Sequence, residues 1–184
     1  TTSPARPAER PTPAAVAQLG DIRCTPHTRE QERLAGAIPF MRDGLAWHVR
    51  CAYVCCDQDA EGFRAALKSA GIDVATEEAR GAIVLLTKGD FHLHGGSFDP
   101  ERMIAALHAA VRDALNSGFS GLRAGGEMTW LLDLGPGSER LAEYEALLNP
   151  FCSNNPVVIL CQYDRGALPS VPLDYCLAPP PWVR

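Results

Sequence analysis

The sequence has no GxxxxGK[ST] segment. Neither glycine pair, Gly95-Gly96 nor Gly125-Gly126, is followed by the Lys and the Ser or Thr that a phosphate loop uses to hold phosphates and magnesium. An NTPase of the ordinary kind is therefore disfavoured. GxSxG and HExxH are also missing, which removes support from two common hydrolase classes. No apolar run approaches the ~20 residues of a membrane helix, so no membrane association is expected. The opening TTSPARPAERPTPAAVAQ lacks the continuous apolar core of a secretory signal, and a cytoplasmic location is the expectation. Organised positive charge is absent as well. Seventeen Lys and Arg against 22 Asp and Glu leave a net charge of −5, and the basic residues are scattered, so direct nucleic-acid binding is not expected. A disulfide framework is equally improbable. The seven cysteines are an odd number, and Cys51, Cys55, Cys56 and Cys161 sit inside apolar runs, where a reduced thiol behaves as a small hydrophobe.

What is present fits one globular domain. The chain has 184 residues, 46% of them hydrophobic and 21% charged, enough for one full core and too few for two. Residues 1–19 are rich in Pro and Ala without periodicity and read as a disordered tail. Residues 20–177 form the domain, and 178–184 a Pro-rich tail or linker. GDIRCTPHT is a short extended piece. A helix is predicted from Thr28 to Trp47, with Thr28 as cap, Leu34, Ile38, Met41 and Leu45 at helical spacing, and Pro39 interrupting or bending it. Val49 to Asp57 is a continuous β-prone run, and a helix from Asp59 to Ala70 follows, stopped by Gly71. After a turn-rich piece from Ile72 to Arg80, Ala82 to Asp90 is the next buried strand. Asp99, Pro100 and Glu101 mark the start of the longest helix, which runs to about Asn116 on a stripe of Met103, Ile104, Leu107, Val111 and Leu115. Gly121 to Asp164 then reads as strand, helix (from Ser138 to about Leu148) and strand, and Leu173 to Leu177 as a last edge strand. Strands near 49–56, 82–88, 121–128 and 156–163 alternating with helices predict a three-layer α/β sandwich around a mostly parallel sheet.

Parallel sheets place ligands at the carboxyl ends of their strands. Those ends carry Glu127 and Trp130 in one case and Gln162, Tyr163 and Asp164 in another. The predicted pocket is bounded by Cys24 to His27, Asp57, Asp90 to His94, Glu127 to Trp130 and Gln162 to Asp164. Candidate ligand-binding residues are Cys24, His27, Asp57, His92, Glu127, Trp130, Gln162, Tyr163 and Asp164. An equally weighted alternative has Trp130 and Tyr163 capping the core while Glu127 pairs with an arginine. His92 and His94, two apart beside Asp90, have a spacing that can present two imidazoles to a metal, and Cys24 with His27 makes a second such pair. A polar surface loop explains the histidines more cheaply, so neither metal nor cofactor is expected. The vicinal Cys55-Cys56 invites a redox reading, but neighbours on a strand face opposite ways and core packing suffices.

These segments, in order, resemble the MEDS family (methanogen/methylotroph, DcmR sensory domain). The resemblance is carried by Gly20, Asp21 and Cys24; PFMRDGL (Pro39 to Leu45); RCAYV (Arg50 to Val54); AGID (Ala70 to Asp73); and FDPERM (Phe98 to Met103). GLRAGGEMTW (Gly121 to Trp130), GSERLAEYEALLN (Gly137 to Asn149) and CQYD (Cys161 to Asp164) complete it. Three positions depart from the first motif of the family, with Ile22 in the place of a His, Pro26 of an aromatic and His27 of a Tyr. The resemblance implies a RecA/KaiC-like domain without ATPase motifs, a non-catalytic sensory module of signal transduction or transcriptional regulation. It implies a small-molecule ligand, often hydrocarbon-derived, and a signalling or regulatory protein partner. Two other classes stay open: a scaffold that binds only a protein partner, and an enzyme using Glu127 as general base with Asp57 or Asp164 nearby.

Overall fold

The computed structural model describes residues 20–55, 60–91, 98–133 and 140–168. Five strands, β1 (Asp21–His27), β2 (Arg50–Cys55), β3 (Ile83–Thr87), β4 (Leu122–Glu127) and β5 (Val157–Asp164), form one sheet in the order β1-β5-β4-β2-β3. All four pairings are parallel. Parallel neighbours need long crossovers, and the helices supply them. α1 (Glu30–Ala46), α2 (Ala60–Ser69) and α3 (Val74–Ala79) cover one face of the sheet, while α4 (Pro100–Asn116) and α5 (Arg140–Ser153) cover the other. The three-layer α/β sandwich is the predicted one. β5, an interior strand between β1 and β4, is buried from Val157 to Tyr163, as its apolar run requires.

Several elements differ from expectation for physical reasons. The extended piece at the start of the domain is a complete edge strand, paired with β5 from Asp21↔Val158 to His27↔Asp164. Its half-exposed Arg23 and Thr25 hid the apolar pattern, and Pro26 is tolerated because an edge strand has one unpaired side. Ile72 to Arg80 contains the short helix α3, capped by Asp73, whose carboxylate accepts from the Thr76 N–H at 3.2 Å. α1 passes through Pro39 without a break, and Pro39 is on the solvent side, where water can satisfy the freed carbonyl. Arg29, not Thr28, occupies its N-cap. α4 begins as predicted, with the Arg102 N–H donating to Asp99 at 3.1 Å. The predicted tails, the strand at Leu173 to Leu177 and the start of the last helix at Ser138 lie outside the described residues.

The three segments PFMRDGL, RCAYV and GLRAGGEMTW meet at one place. Arg123, on β4, is completely buried under α1, its guanidinium 4.9 Å from the ring of Phe40 and 4.6 Å from that of Trp47. It donates to the Phe40 carbonyl at 2.8 Å and lies 3.8 Å from Asp43. Burial pushes its pKa below the ordinary arginine value. α1 can approach this closely because position 44 is glycine. A Cβ there would overlap Cys51 Sγ and come within 2.9 Å of Arg123 Cδ. Gly125 is constrained in the same way by the Tyr53 ring, 2.8 Å from where its Cβ would stand.

Gly44→Ala should therefore destabilise the domain by about 1–3 kcal/mol, although alanine brings up to ~1 kcal/mol of helix propensity. Urea unfolding of Gly44→Ala, Cys51→Ala and the double variant checks this. The double variant should recover part of the loss, because it removes the sulfur that the new methyl meets.

Candidate functional site

Because every strand runs the same way, His27, Cys55, Thr87, Glu127 and Asp164 end at one edge of the sheet. The register then sorts the residues near that edge between two faces. Thr25, Gln162 and Glu127 are direct neighbours across β1, β5 and β4 and share the α1 face with Tyr53. Cys24, Cys161 and Tyr163 belong to the opposite face, with Trp130 from the 3-10 helix Thr129–Asp133.

On the α1 face the chain builds a closed polar network. Gln162, 1% exposed, accepts from the Tyr53 hydroxyl at 2.6 Å and donates to the Arg33 carbonyl at 2.9 Å and to Thr25 Oγ1 at 3.4 Å. Arg33, also 1% exposed, donates to Tyr53 Oη at 3.1 Å and to Glu30 at 2.9 Å, and stands over the Phe63 ring. Phe63 in turn stacks on Tyr53 at 4.3 Å. Gly36 leaves the space, since a Cβ there would meet Gln162 Nε2 at 3.1 Å. Burial raises the Tyr53 pKa, and the phenol stays a donor. His27, 6% exposed, ends β1 on this side, and neither ring nitrogen has a hydrogen-bond partner among the described residues.

The turn from β1 into α1 is where an α/β fold offers helix N–H groups to a phosphate. Here the chain's own carboxylates occupy it. Glu32 accepts from the Thr28 N–H at 2.8 Å and the Thr28 hydroxyl at 3.0 Å, and pairs with Arg29 at 2.8 Å. The hydrogen bond from the Thr28 backbone, followed by those from Arg29 and the Thr28 hydroxyl, lowers its pKa to about 2. Glu30 stands in the same turn, its pKa lowered chiefly by the hydrogen bond from Arg33. Both carboxylates of this turn are paired with arginines of the same turn, Glu32 with Arg29 and Glu30 with Arg33.

The opposite face holds a cavity of about 140 Å³ between α4 and the sheet. Small residues on both walls create it. Ala52 and Ala124 are neighbours on β2 and β4, Gly126 follows one step nearer the carboxyl edge, and Ala106 and Ala110 come down from α4. Leu107, Phe91, Met128 and Ile159 complete the apolar wall. Among the described residues the lining has two with a hydrogen-bonding side chain, Tyr144 and Cys161, and no charged one. Burial raises the Tyr144 pKa well above its ordinary value, so it stays a neutral phenol.

The predicted site residues are thus distributed as follows. Trp130 and Tyr163, 1% and 2% exposed, fill the core of the α4–α5 face, and Cys24 packs at its margin. Gln162 belongs to the polar network, and Glu127 stands half-buried beside it. Asp164 closes the turn after β5, accepting from the Gly166 and Ala167 N–H groups at 2.8 and 3.2 Å. Asp90 closes the turn after β3 through Thr87. Asp57, His92 and His94 lie outside the described residues. Sequence reading missed Thr25, Glu30, Glu32, Arg33 and Tyr53, and the whole cavity. The one available signal for the cavity was the small residues at positions 52, 124 and 126 of otherwise bulky strands.

Residues 23–178 match the model of the family described as MEDS: MEthanogen/methylotroph, DcmR Sensory domain. No curated protein matches the sequence. Among solved structures, the fold is similar to that of a KaiC-like protein from the hyperthermophilic archaeon Pyrococcus horikoshii OT3, with a TM-score of 0.57 and 14% identity. The match covers 80% of this chain and 65% of that protein, and at this identity the likeness is one of fold.

The Glu32 contacts predict a definite pH dependence. Its folded pKa is depressed from about 4.5 to about 2, so the stabilisation is complete above the unfolded value and is lost as pH falls from about 4.5 towards 2. NMR titration should find the Glu32 carboxyl near 2 and the Thr28 amide shifting with it. In Glu32→Gln that amide transition should vanish.

Proposed function

Since the chain belongs to the MEDS family, a family of sensory domains, we propose that it binds a small, uncharged, largely apolar molecule in the cavity beneath α4. It reports occupancy to a signalling or regulatory protein, in signal transduction or transcriptional control, without chemical turnover. The observation that carries this reading is the cavity. An enclosed apolar cavity of ~150 Å³ takes benzene or xenon, and this one, partly open, is of similar size at about 140 Å³. Tyr144 and Cys161 allow one or two hydrogen bonds for orientation, and the lining, uncharged among the described residues, disfavours phosphates and carboxylates. The lining comes from α4 and four strands, so a ligand there bears on how α4 sits on the sheet.

Two further observations favour binding over catalysis. In the turn after β1 the arginines Arg29 and Arg33 are already engaged by Glu32 and Glu30 and are not left over for a phosphate. Glu127, the candidate general base, projects to the α1 face with Tyr53 and Gln162, on the other side of the sheet from the cavity. A base there does not reach a molecule held under α4.

Thermal unfolding with and without toluene tests this. Toluene at ten times its dissociation constant should stabilise the wild type by about 1.4 kcal/mol. In Ala106→Leu, which fills the cavity from a helix position, the chain should fold and the toluene shift should disappear. Stabilisation by Mg-ATP, or no response to any neutral apolar probe, would contradict the proposal.

A further inference from the structure

The register of the edge strand has a chemical consequence. β1 and β5 run parallel with Cys24 directly beside Cys161. Both belong to the α4–α5 face. Cys161 lies in the apolar cluster with Ile159 and Tyr163, and Cys24 packs against that cluster with Ile22. Adjacent strands are ~4.8 Å apart, inside the ~4.4–6.8 Å Cα separation that a disulfide spans. A disulfide also needs Cβ atoms ~3.5–4.5 Å apart, and β1 can make that small adjustment, because it is an edge strand bonded on one side only. Cys24 is half-buried, the more exposed of the two, while Cys161 is 9% exposed.

Two of the other described thiols are set apart from this pair by the sheet. Cys51 and Cys55 sit in the α1-side cluster, across the sheet. Burial pushes the Cys51 and Cys152 thiols up to about 12, which keeps them protonated and unreactive, and Cys51 also donates to the Met41 carbonyl.

We propose that Cys24 and Cys161 form a hydroperoxide-responsive thiol pair, with Cys24 as the attacking sulfur and Cys161 as the resolving one. The Cys24 thiolate attacks the terminal oxygen of a hydroperoxide, forming an S–O bond as the O–O bond breaks, and the alcohol or water leaves after protonation. The Cys161 thiolate then attacks the Cys24 sulfur. An S–S bond forms, the S–O bond breaks, and the hydroxide leaves as water after taking up a proton from solvent. The two thiols together lose two electrons, and the hydroperoxide gains them. Because Cys161 lines the cavity, the bond draws its sulfur towards β1 and alters the cavity wall. The thiol chemistry itself does not depend on what the cavity binds.

Hydrogen peroxide applied to the full chain, followed by non-reducing peptide mapping, tests the pair. Expected are the loss of two titratable thiols and a peptide joining Cys24 to Cys161, both reversed by a phosphine reductant. Cys24→Ser and Cys161→Ser, each verified as folded by circular dichroism, should both lack the linked peptide. Cys161→Ser should instead stop at a sulfenic acid on Cys24, trapped by dimedone. A wild type that accumulates sulfenic or sulfinic acid at Cys24 without the link, that links other cysteines instead, or that retains all its thiols overturns the proposal.

Discussion

The buried hydrogen bond from the Tyr53 hydroxyl to Gln162 ties together parts of the chain that are far apart in sequence. The partners lie 109 residues apart, and Gln162 also holds the Arg33 carbonyl. Through Arg33, the network fixes α1 over β5 and β2. Once α1 is held there, its first turn stands beyond the end of β1, where Glu32 reaches back to the Thr28 N–H and Glu30 pairs with Arg33. The same helix placement requires glycine at position 44, because Arg123 and Cys51 fill the space beneath it. Breaking the network by truncating one partner leaves the others buried without their hydrogen bonds, at a cost of about 1–3 kcal/mol each.

The two faces of the sheet are packed by different rules. The α1 face joins aromatic rings to a polar network in which Arg33, Tyr53 and Gln162 are all satisfied by one another. The α4 face is apolar, and small side chains at Ala52, Ala124 and Gly126 meet small ones at Ala106 and Ala110. Well-packed interiors leave few voids larger than a water molecule, and an unfilled void costs stability. A sensory domain gains from such a void when a ligand fills it. In the reading proposed above, the rigid face holds the fold and the looser face holds the molecule that is sensed.

Much of the fold was legible because its signals are local. Val49 to Asp57 and Ala82 to Asp90 announce buried strands by unbroken β-prone runs, and Asp99 with Pro100 announces α4 by its cap. β1 was less legible, since half-exposed residues and Pro26 remove both of the usual strand signals. Pro39 misdirected the reading of α1, because its exposure within the helix depends on the sheet behind it. At the site, the sequence pointed to the carboxyl edge of the sheet but not to the division between its faces. Glu127 and Gln162 were grouped with Trp130 and Tyr163, whereas strand alternation and register send them to opposite sides. Arg33 and Tyr53 could not be found by spacing, since their roles come from contacts 20 residues apart and more.

The most direct measurement is a crystal of the protein under xenon pressure. The predicted result is an anomalous xenon peak between α4 and strands β2, β4 and β5, within the space bounded by Ala52, Ala106, Ala124 and Tyr144. That space filled by side chains, with no xenon in it, would contradict the proposal that the domain senses a small apolar molecule there.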